Sequence, residues 1–498
     1  MNMLAKRFPA ILAGVILLYL LLAIASARSL MPWCDEAWFS GPAQNLVTKG
    51  YMGTPVLDPT TAWIFRDLTR IDRYTYWIMP LYPFTQSFWL RLAGSSLFSV
   101  RLYSVFWGLI ALSGWMLVVW KLTGDRRMAL LTAALIAIDA QFLWSSAVGR
   151  MDMMCAALGV TGVAAFLCLR ERHLSLAIFA GHSCIVAAGL AHPTAIGAAA
   201  GLVVLIVYFD RGRLRLYHLP LAMLPYVVGA GCWGLYIAQD PALFWSQFKG
   251  DASGRVISGP LLEWLRLQTV ERYLYMFGLS PDTRGFSHAK ILILIVYAIG
   301  VGGALLSPRI RREGGSRAIL LLWIVWTATV ALVDKDIHPF YLVHFLLPLA
   351  AILAVWLCSS WDAQTIPRWV LAGLLAVIAG TQLATDASRI RQDDYHKNYL
   401  AATSFLLQHA SPSDRIFGSA ELAFQLGWYG PVIDDYRLGC RTGKKASFVV
   451  LDRNRYVEWI ANLEKLEPET YRFIHNMLDR EFELVHRDGA YQIYARKG

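Results

Sequence analysis

Two adjacent carboxylates, Asp35 and Glu36, stand just past FPAILAGVILLYLLLAIASA (8–27), a run of twenty residues without a charge. A carboxylate at such an edge is placed to take a proton from an incoming nucleophile. Arg150 and Asp152, two apart in SSAVGRMDMM (145–154), add a cation suited to phosphate and a further acid. His192 precedes Pro193 in GLAHPTAIG (189–197), and VDKDIHPFYLVH (333–344) carries Lys335 between two acids and His338 just after them. Charged groups at a membrane edge are costly unless paired or used. A rim of acids and bases suits an anionic, lipid-linked substrate, whose phosphate meets the cations while a carboxylate activates an acceptor. Each residue also has a plainer reading. The acids can mark a lipid boundary, Arg150 and Asp152 can form an ion pair, and His192 can cap a broken helix. Lys335 and His338 can snorkel to the interface.

Apolar runs must position these groups. Only 16% of the 498 residues are charged while 56% are hydrophobic, and the mean hydropathy is +0.44. Runs long enough to cross recur down to residue 385. About 20 apolar residues cross a bilayer, and only helices satisfy their backbone there. Candidate spans are 8–27, 101–120, 128–147, 151–169, 174–190, 193–209, 217–238, 289–307, 318–333, 339–357 and 368–385, about eleven in all. The basic Met1–Arg7 and the long run after it read as a retained first helix rather than a signal peptide.

Short basic connectors separate several spans: KLTGDRR (121–127), RERH (170–173), DRGRLR (210–215) and RIRREGGSR (309–317). Segment 76–94, YWIMPLYPFTQSFWLRLAG, decides their side. If it lies flat in the interface, all four connectors face the cytoplasm with the N-terminus, as the positive-inside rule asks. Its Trp77, Tyr82 and Trp89 would then anchor at headgroups, with Arg91 toward water or phosphate. This parity sends Asp35, Glu36, Arg150, Asp152, His192, Lys335 and His338 to one outer face. The first outer loop spans 28–100. A second, 239–288, holds PLLEWLRLQTVERYLYM (260–276), whose mixed pattern reads as a surface-lying helix.

The net charge of +11, from 46 Lys and Arg against 35 Asp and Glu, sits largely in basic loops and gives no ground for nucleic-acid binding. Of seven cysteines, Cys34 and Cys440 are candidates for a disulfide that spacing alone does not decide. No zinc-type spacing, internal repeat or N-x-Ser/Thr sequon occurs. The tail, 386–498, is charged and turn-rich. Strands are expected at 414–420 and 446–453, helices at 396–410 and 455–466, and a hairpin over 482–497 turning at Asp488-Gly489. The fold expected is a polytopic α-helical membrane domain (1–385) with interfacial helices in its first outer loop, followed by a small extracytoplasmic α/β domain (386–498).

Several stretches together carry a resemblance: CDEAWFSGPAQNLVTKG (34–50), MPLYPFTQSFWLRLAGSSLFSVRLYSVFWG (79–108), SSAVGRMDMM, LAHPTA and DKDIHPFYLVHFLLPLAAILA (334–354). Their order and spacing over residues 30–385 resemble the GT-C superfamily of membrane glycosyltransferases that use polyprenyl-phosphate sugars. Within it, the chain looks like bacterial relatives of protein mannosyltransferases and of the lipid A aminoarabinose transferase, glycosyltransferase family 39-like.

The resemblance implies a transferase in the bacterial cytoplasmic membrane, working at its outer face. It would move a sugar from a polyprenyl-phosphate donor to a lipid, glycan or protein acceptor. Asp35 matches the general base, Glu36 its neighbour, Asp152 a further acid and Arg150 its companion. Tyr341 falls where the late span often carries Tyr. Many relatives have Lys or His before the prolines, whereas this chain reads DRYTYWIMP (72–80), so Arg70 or Arg73 is expected to supply that phosphate-binding charge. Some relatives use a divalent metal such as Mg2+ or Mn2+, for which Asp35 and Asp152 are the candidate ligands. Two other classes stay open: a transporter or flippase of lipid-linked sugars, and a membrane-anchored scaffold.

Overall fold

The computed structural model describes residues 3–60, 62, 68–253, 260–279, 285–333, 339–411, 413–453 and 455–498. Lys335 and His338 lie outside the described residues. The first helix, α1 (Met3–Ser29), leads into α2 (Cys34–Lys49), α3 (Leu81–Ala93) and α4 (Leu97–Thr123). Then come α5 (Arg126–Ala137), α6 (Ala140–Ser146), α7 (Met151–Leu169), α8 (Leu174–Ala191), α9 (Ile196–Asp210) and α10 (His218–Ile237). The loop after α10 forms α11 (Pro241–Ser253) and α12 (Leu261–Arg266), the latter continuing in wider turns to Leu279. The bundle closes with α13 (Ile291–Leu306), α14 (Gly314–Val333), α15 (Val343–Ala363) and α16 (Arg368–Gln392).

Ten of these helical stretches are long and apolar enough to cross a membrane, and eleven if the bent pair α5–α6 is one span. The expected span 128–147 is broken by 66° between those two helices. Asp139 causes the break. Its carboxylate accepts from the backbone N–H groups of Gln141 and Phe142, at 3.1 and 2.9 Å, and so caps a new helix inside an apolar run. Tyr297 and Gln382 also donate to it, at 3.0 and 2.6 Å.

Of segment 76–94, only Leu81–Ala93 is helical. Thirteen residues of helix span about 20 Å, short of a ~30 Å hydrocarbon core. Phe84, Phe88 and Leu92 form its exposed apolar stripe. The expected anchors Trp77 and Tyr82 are buried instead. Tyr82 packs against Tyr103 of α4, because the turn at Pro80 aims it into the bundle.

The four basic connectors gather at the end of the bundle away from Asp35. Arg127 binds Asp362 at the end of α15, Arg170 binds Asp210, and Arg317 donates to Tyr208, at 2.7, 2.7 and 2.7 Å. The N-terminal part of α1 joins them, with Arg126 over the Phe8 ring.

The tail contributes α17 (Ala401–His409), α18 (Tyr456–Leu466), α19 (Pro468–Glu481) and strands β1 (Ile416–Phe417), β2 (Val432–Ile433), β3 (Phe448–Asp452), β4 (Phe482–Asp488) and β5 (Tyr491–Arg496). The boundary expected at 385 falls inside α16. The sheet order is β2-β1-β3-β5-β4, with β1 parallel to both neighbours and β5 antiparallel to both of its own. Alternation in β3 explains the layering. Val449 and Leu451 face α18 and α19, while Phe448 and Val450 join a cluster with Tyr399 and Leu406 on the other side. The hairpin pairs Asp488 with Tyr491, so its two-residue turn begins at Gly489, whose φ of +49° suits glycine. Strand β2 and helix α19 are elements the sequence pattern does not announce. Cys34 and Cys440 are both free, and the candidate disulfide is not formed.

Single cysteines at Gly124, Gly212, Gly314 and Ser413, in a background lacking the native seven, test the orientation. Only the Ser413 variant should react with a membrane-impermeant thiol reagent on intact cells. Labelling at Gly124 or Gly212 would reverse the parity.

Candidate active site

Asp35 and Glu36 occupy the first turn of α2, and the two do different work. Glu36 is fully buried. Its carboxylate receives Nε and Nη2 of Arg101, at 2.8 and 2.8 Å, and the backbone N–H of Gly149 at 2.9 Å. It also reaches back to the N–H of Trp33 at 2.9 Å, the returning half of a capping box. Arg101, itself fully buried, donates to the carbonyls of Ala27, Leu30 and Met31 at 2.8, 2.8 and 3.3 Å. Those carbonyls lie where α1 ends and would otherwise lack intrahelical partners. One ion pair therefore ties the end of α1, the start of α2, α4 and the turn before α7. A Cβ on Gly149 would stand 2.2 Å from Val100 Cγ1, so the close approach of that turn requires glycine. Its carboxylate is fully engaged, so Glu36 pins the helix ends beside Asp35.

Asp35 faces a second arginine. Arg150, at the start of α7, binds Asp35 through Nη1 and Asp152 through Nε, the latter at 2.8 Å. The faces of its guanidinium are covered by Phe39 and Phe340, at 4.9 and 4.2 Å, and Trp144 stacks behind Phe340 at 4.2 Å. Of the three side chains, Asp35 is 12% exposed, against 4% for Arg150 and 2% for Asp152. Asp35 is thus the acid an entering molecule meets first. Cys34 lies beside it, Sγ 3.6 Å from Oδ1. Burial pushes the Cys34 thiol well above its usual range and keeps it a neutral donor.

A polar chain continues behind Asp152. His192 Nδ1 lies 2.8 Å from Thr194 Oγ1, which lies 2.9 Å from His344 Nε2. His192 both caps the break after α8 and packs on the Tyr341 ring at 5.0 Å. Arg272, on the turns continuing α12, is buried over Phe345 at 4.6 Å. Sequence reasoning did not single out Arg101, Thr194, Arg272 or His344 as site residues. For Arg101, Thr194 and His344 a signal was available: each is a polar group within or beside an otherwise apolar run, whereas Arg272 sits in a mixed segment that hides it.

Arg70 and Arg73 are engaged elsewhere. Arg70 pairs with Asp240 at 3.6 Å and lies over Tyr74, while Arg73 lies over Tyr51. Asp35 and Asp152, the candidate metal ligands, share Arg150 instead. Among the described residues no three His, Cys, Asp or Glu side chains converge as a ligand set. A divalent ion fits these two carboxylates only in exchange for the guanidinium.

The tail covers the opposite face of α2. Trp38 donates Nε1 to Asp434 at 2.9 Å, and Arg455 lies between the Trp38 and Trp459 rings at 4.4 and 4.2 Å. Arg455 also holds both oxygens of Asp434, at 3.0 and 3.0 Å, and Lys444 binds Asp58. Burial, reinforced by Asp452, raises the nearby Glu421 carboxyl well above its usual range.

No family model and no curated protein sequence matches the chain. Solved structures do. ArnT from Cupriavidus metallidurans bound to undecaprenyl phosphate aligns over 99% of this chain and 98% of its own, with a TM-score of 0.62 at 16% identity. The chain has a GT-C-like fold. The apo form of the same ArnT aligns over 97% of both chains, at 0.59 and 14% identity. Archaeal oligosaccharyltransferase AglB from Archaeoglobus fulgidus, in complex with an inhibitory peptide and a dolichol-phosphate, aligns over 100% of this chain and 75% of its own, at 0.55 and 12% identity. The fold expected from the motifs over residues 30–385 is therefore borne out, and the alignment extends over nearly the whole chain.

The fully buried Arg101–Glu36 pair yields a stability prediction. Arg101→Met leaves a buried carboxylate without its cation and should lower unfolding stability by about 3–5 kcal/mol. Thermal unfolding of the purified protein in detergent checks this. An unchanged midpoint would show that the pair does not hold the helix ends.

Proposed function

We propose that the protein transfers a sugar from a polyprenyl-phosphate donor to a hydroxyl of a lipid, glycan or protein acceptor, at the outer face of the cytoplasmic membrane. The observation that carries this reading is the convergence of Asp35 and Asp152 on Arg150. The ArnT structure that this chain resembles holds undecaprenyl phosphate, and the AglB structure holds a dolichol-phosphate. A lipid phosphate of that class is the natural partner for a guanidinium held at the end of a helical bundle.

The charges suggest how the site works. Arg150 carries one positive charge between two carboxylates. A donor phosphate competes with Asp35 for the guanidinium, while Asp152 keeps its hold on Nε. Asp35, the most exposed of the three, is then released to act as base. The acceptor oxygen attacks the anomeric carbon as its proton passes to Asp35. The bond from that carbon to the phosphate oxygen breaks, polyprenyl phosphate leaves, and the anomeric centre inverts. No nucleotide is needed, because the lipid phosphate is already the leaving group. His192, Tyr341 and Arg272 border the same region and are proposed to line the donor's path; Lys335 and His338 belong to the adjoining segment. A transporter would more often hold its site near mid-membrane on broken helices, whereas these groups cluster at one end.

Transfer of labelled sugar from lipid donor to membrane glycoconjugate should fall by about 10²-fold or more in Asp35→Asn, as expected for loss of a general base. Near-wild-type turnover in this variant would remove Asp35 from the mechanism.

A further inference from the structure

The end of the bundle opposite Asp35 holds a second polar site. An open cavity of about 520 Å³ lies between the connector joining α7 to α8 and the connector joining α9 to α10. Arg172, His173, Ser175, Arg213, Tyr217 and His218 line it. Pockets of ~300–1,000 Å³ are the usual size for small-molecule groups. Asp152 opens and the cavity follows helix α7, which is nineteen residues and about 28 Å long, so the two sites are distinct.

The lining is built to receive an anion. Arg213 is held by Asp210 at 2.8 Å and reaches the Glu171 carbonyl at 3.5 Å, which fixes its guanidinium at the cavity wall. Asp210 is shared with Arg170 at 2.7 Å, and Arg170 also lies 3.6 Å from the exposed Glu171 carboxylate, so the excess of positive charge rests on Arg172. Arg172 is exposed, and among the described residues no carboxylate pairs with it. His218 Nδ1 accepts the backbone N–H of Arg215 at 2.9 Å, which leaves the ring proton on Nε2. That nitrogen lies 3.3 Å from Ser175 Oγ, so the serine oxygen accepts and its own hydrogen is free to donate into the cavity. The first turns of α8 and α10 also meet here and add their positive ends.

The surroundings select among anions. Leu216 is 91% exposed and Leu219 66%, and Leu176 and Tyr217 are exposed beside them. Cations set directly against exposed apolar side chains match a phosphate joined to acyl chains better than a free phosphate ion. We propose that this cavity binds the headgroup of an anionic glycerophospholipid from the leaflet at that end. The phosphate meets Arg172, Arg213 and Ser175 while the acyl chains lie along the leucines. This site is independent of the sugar chemistry.

Delipidated full-length protein in detergent, titrated with dioleoyl phosphatidylglycerol or phosphatidylcholine and read by native mass spectrometry, tests this. One phosphatidylglycerol should be retained per chain in preference to phosphatidylcholine. Arg172→Gln should weaken that retention roughly fivefold, as for one cation at a charged lipid. Arg91→Gln, an exposed cation at the other end, should leave it unchanged. Equal retention of the two lipids, or equal retention by wild type and Arg172→Gln, would overturn the proposal. So would displacement of the lipid by inorganic phosphate alone, which would make the free ion the ligand.

Discussion

The buried Glu36–Arg101 pair is the constraint on which the site depends. Helix α1 ends in a row of carbonyls, and α2 must begin after only four intervening residues in a new direction. Arg101 satisfies the first helix while Glu36 opens the second, and their mutual charge joins the two events. The N–H of Gly149 brings the turn preceding Arg150 to the same carboxylate. Since Asp35 and Arg150 each adjoin a pinned residue, their meeting follows from the pin. Two acids side by side at a helix start are thus divided between architecture and chemistry. The fully paired one fixes the geometry, and the more exposed one is the base in the proposed reaction.

The tail completes the support from the other side. Trp38 lies one turn beyond Asp35 on α2, and its ring and indole N–H are both taken by the tail, through Arg455 and Asp434. Helix α2 is therefore held between the bundle and a folded domain. The tail is part of the site's framework rather than an appended module. Its own layering comes from period-two alternation in β3, while its attachment comes from charged and aromatic groups that have no place in an apolar core.

Much of this was legible in the sequence. The apolar runs gave the spans because lipid leaves the backbone few options. The basic connectors gave their common end because charge and crossing parity are coupled. Asp35, Arg150 and Asp152 could be placed on one face from that parity alone. What escaped was whatever depends on three-dimensional partners. The break at Asp139 hid inside an apolar run, since a capping carboxylate has no periodic signature. Arg70 and Arg73 were expected at phosphate by their position in the chain, and their neighbours Asp240 and Tyr51 could not be read from it. Arg101 read as the opening of a span, and nothing local tied it to Glu36, 65 residues away. The motif resemblance carried the architecture because order and spacing survive where individual residues do not.

The central claim is that a lipid phosphate takes Arg150 from Asp35 and so frees the base. A structure of the protein with a phosphonate analogue of a polyprenyl-phosphate sugar tests it most directly. The account predicts the phosphonate within hydrogen-bond distance of Arg150, the Asp35–Arg150 contact broken, and Asp35 facing the anomeric carbon. An analogue bound beside Arg70 or Arg73, with Arg150 still on Asp35, would contradict it.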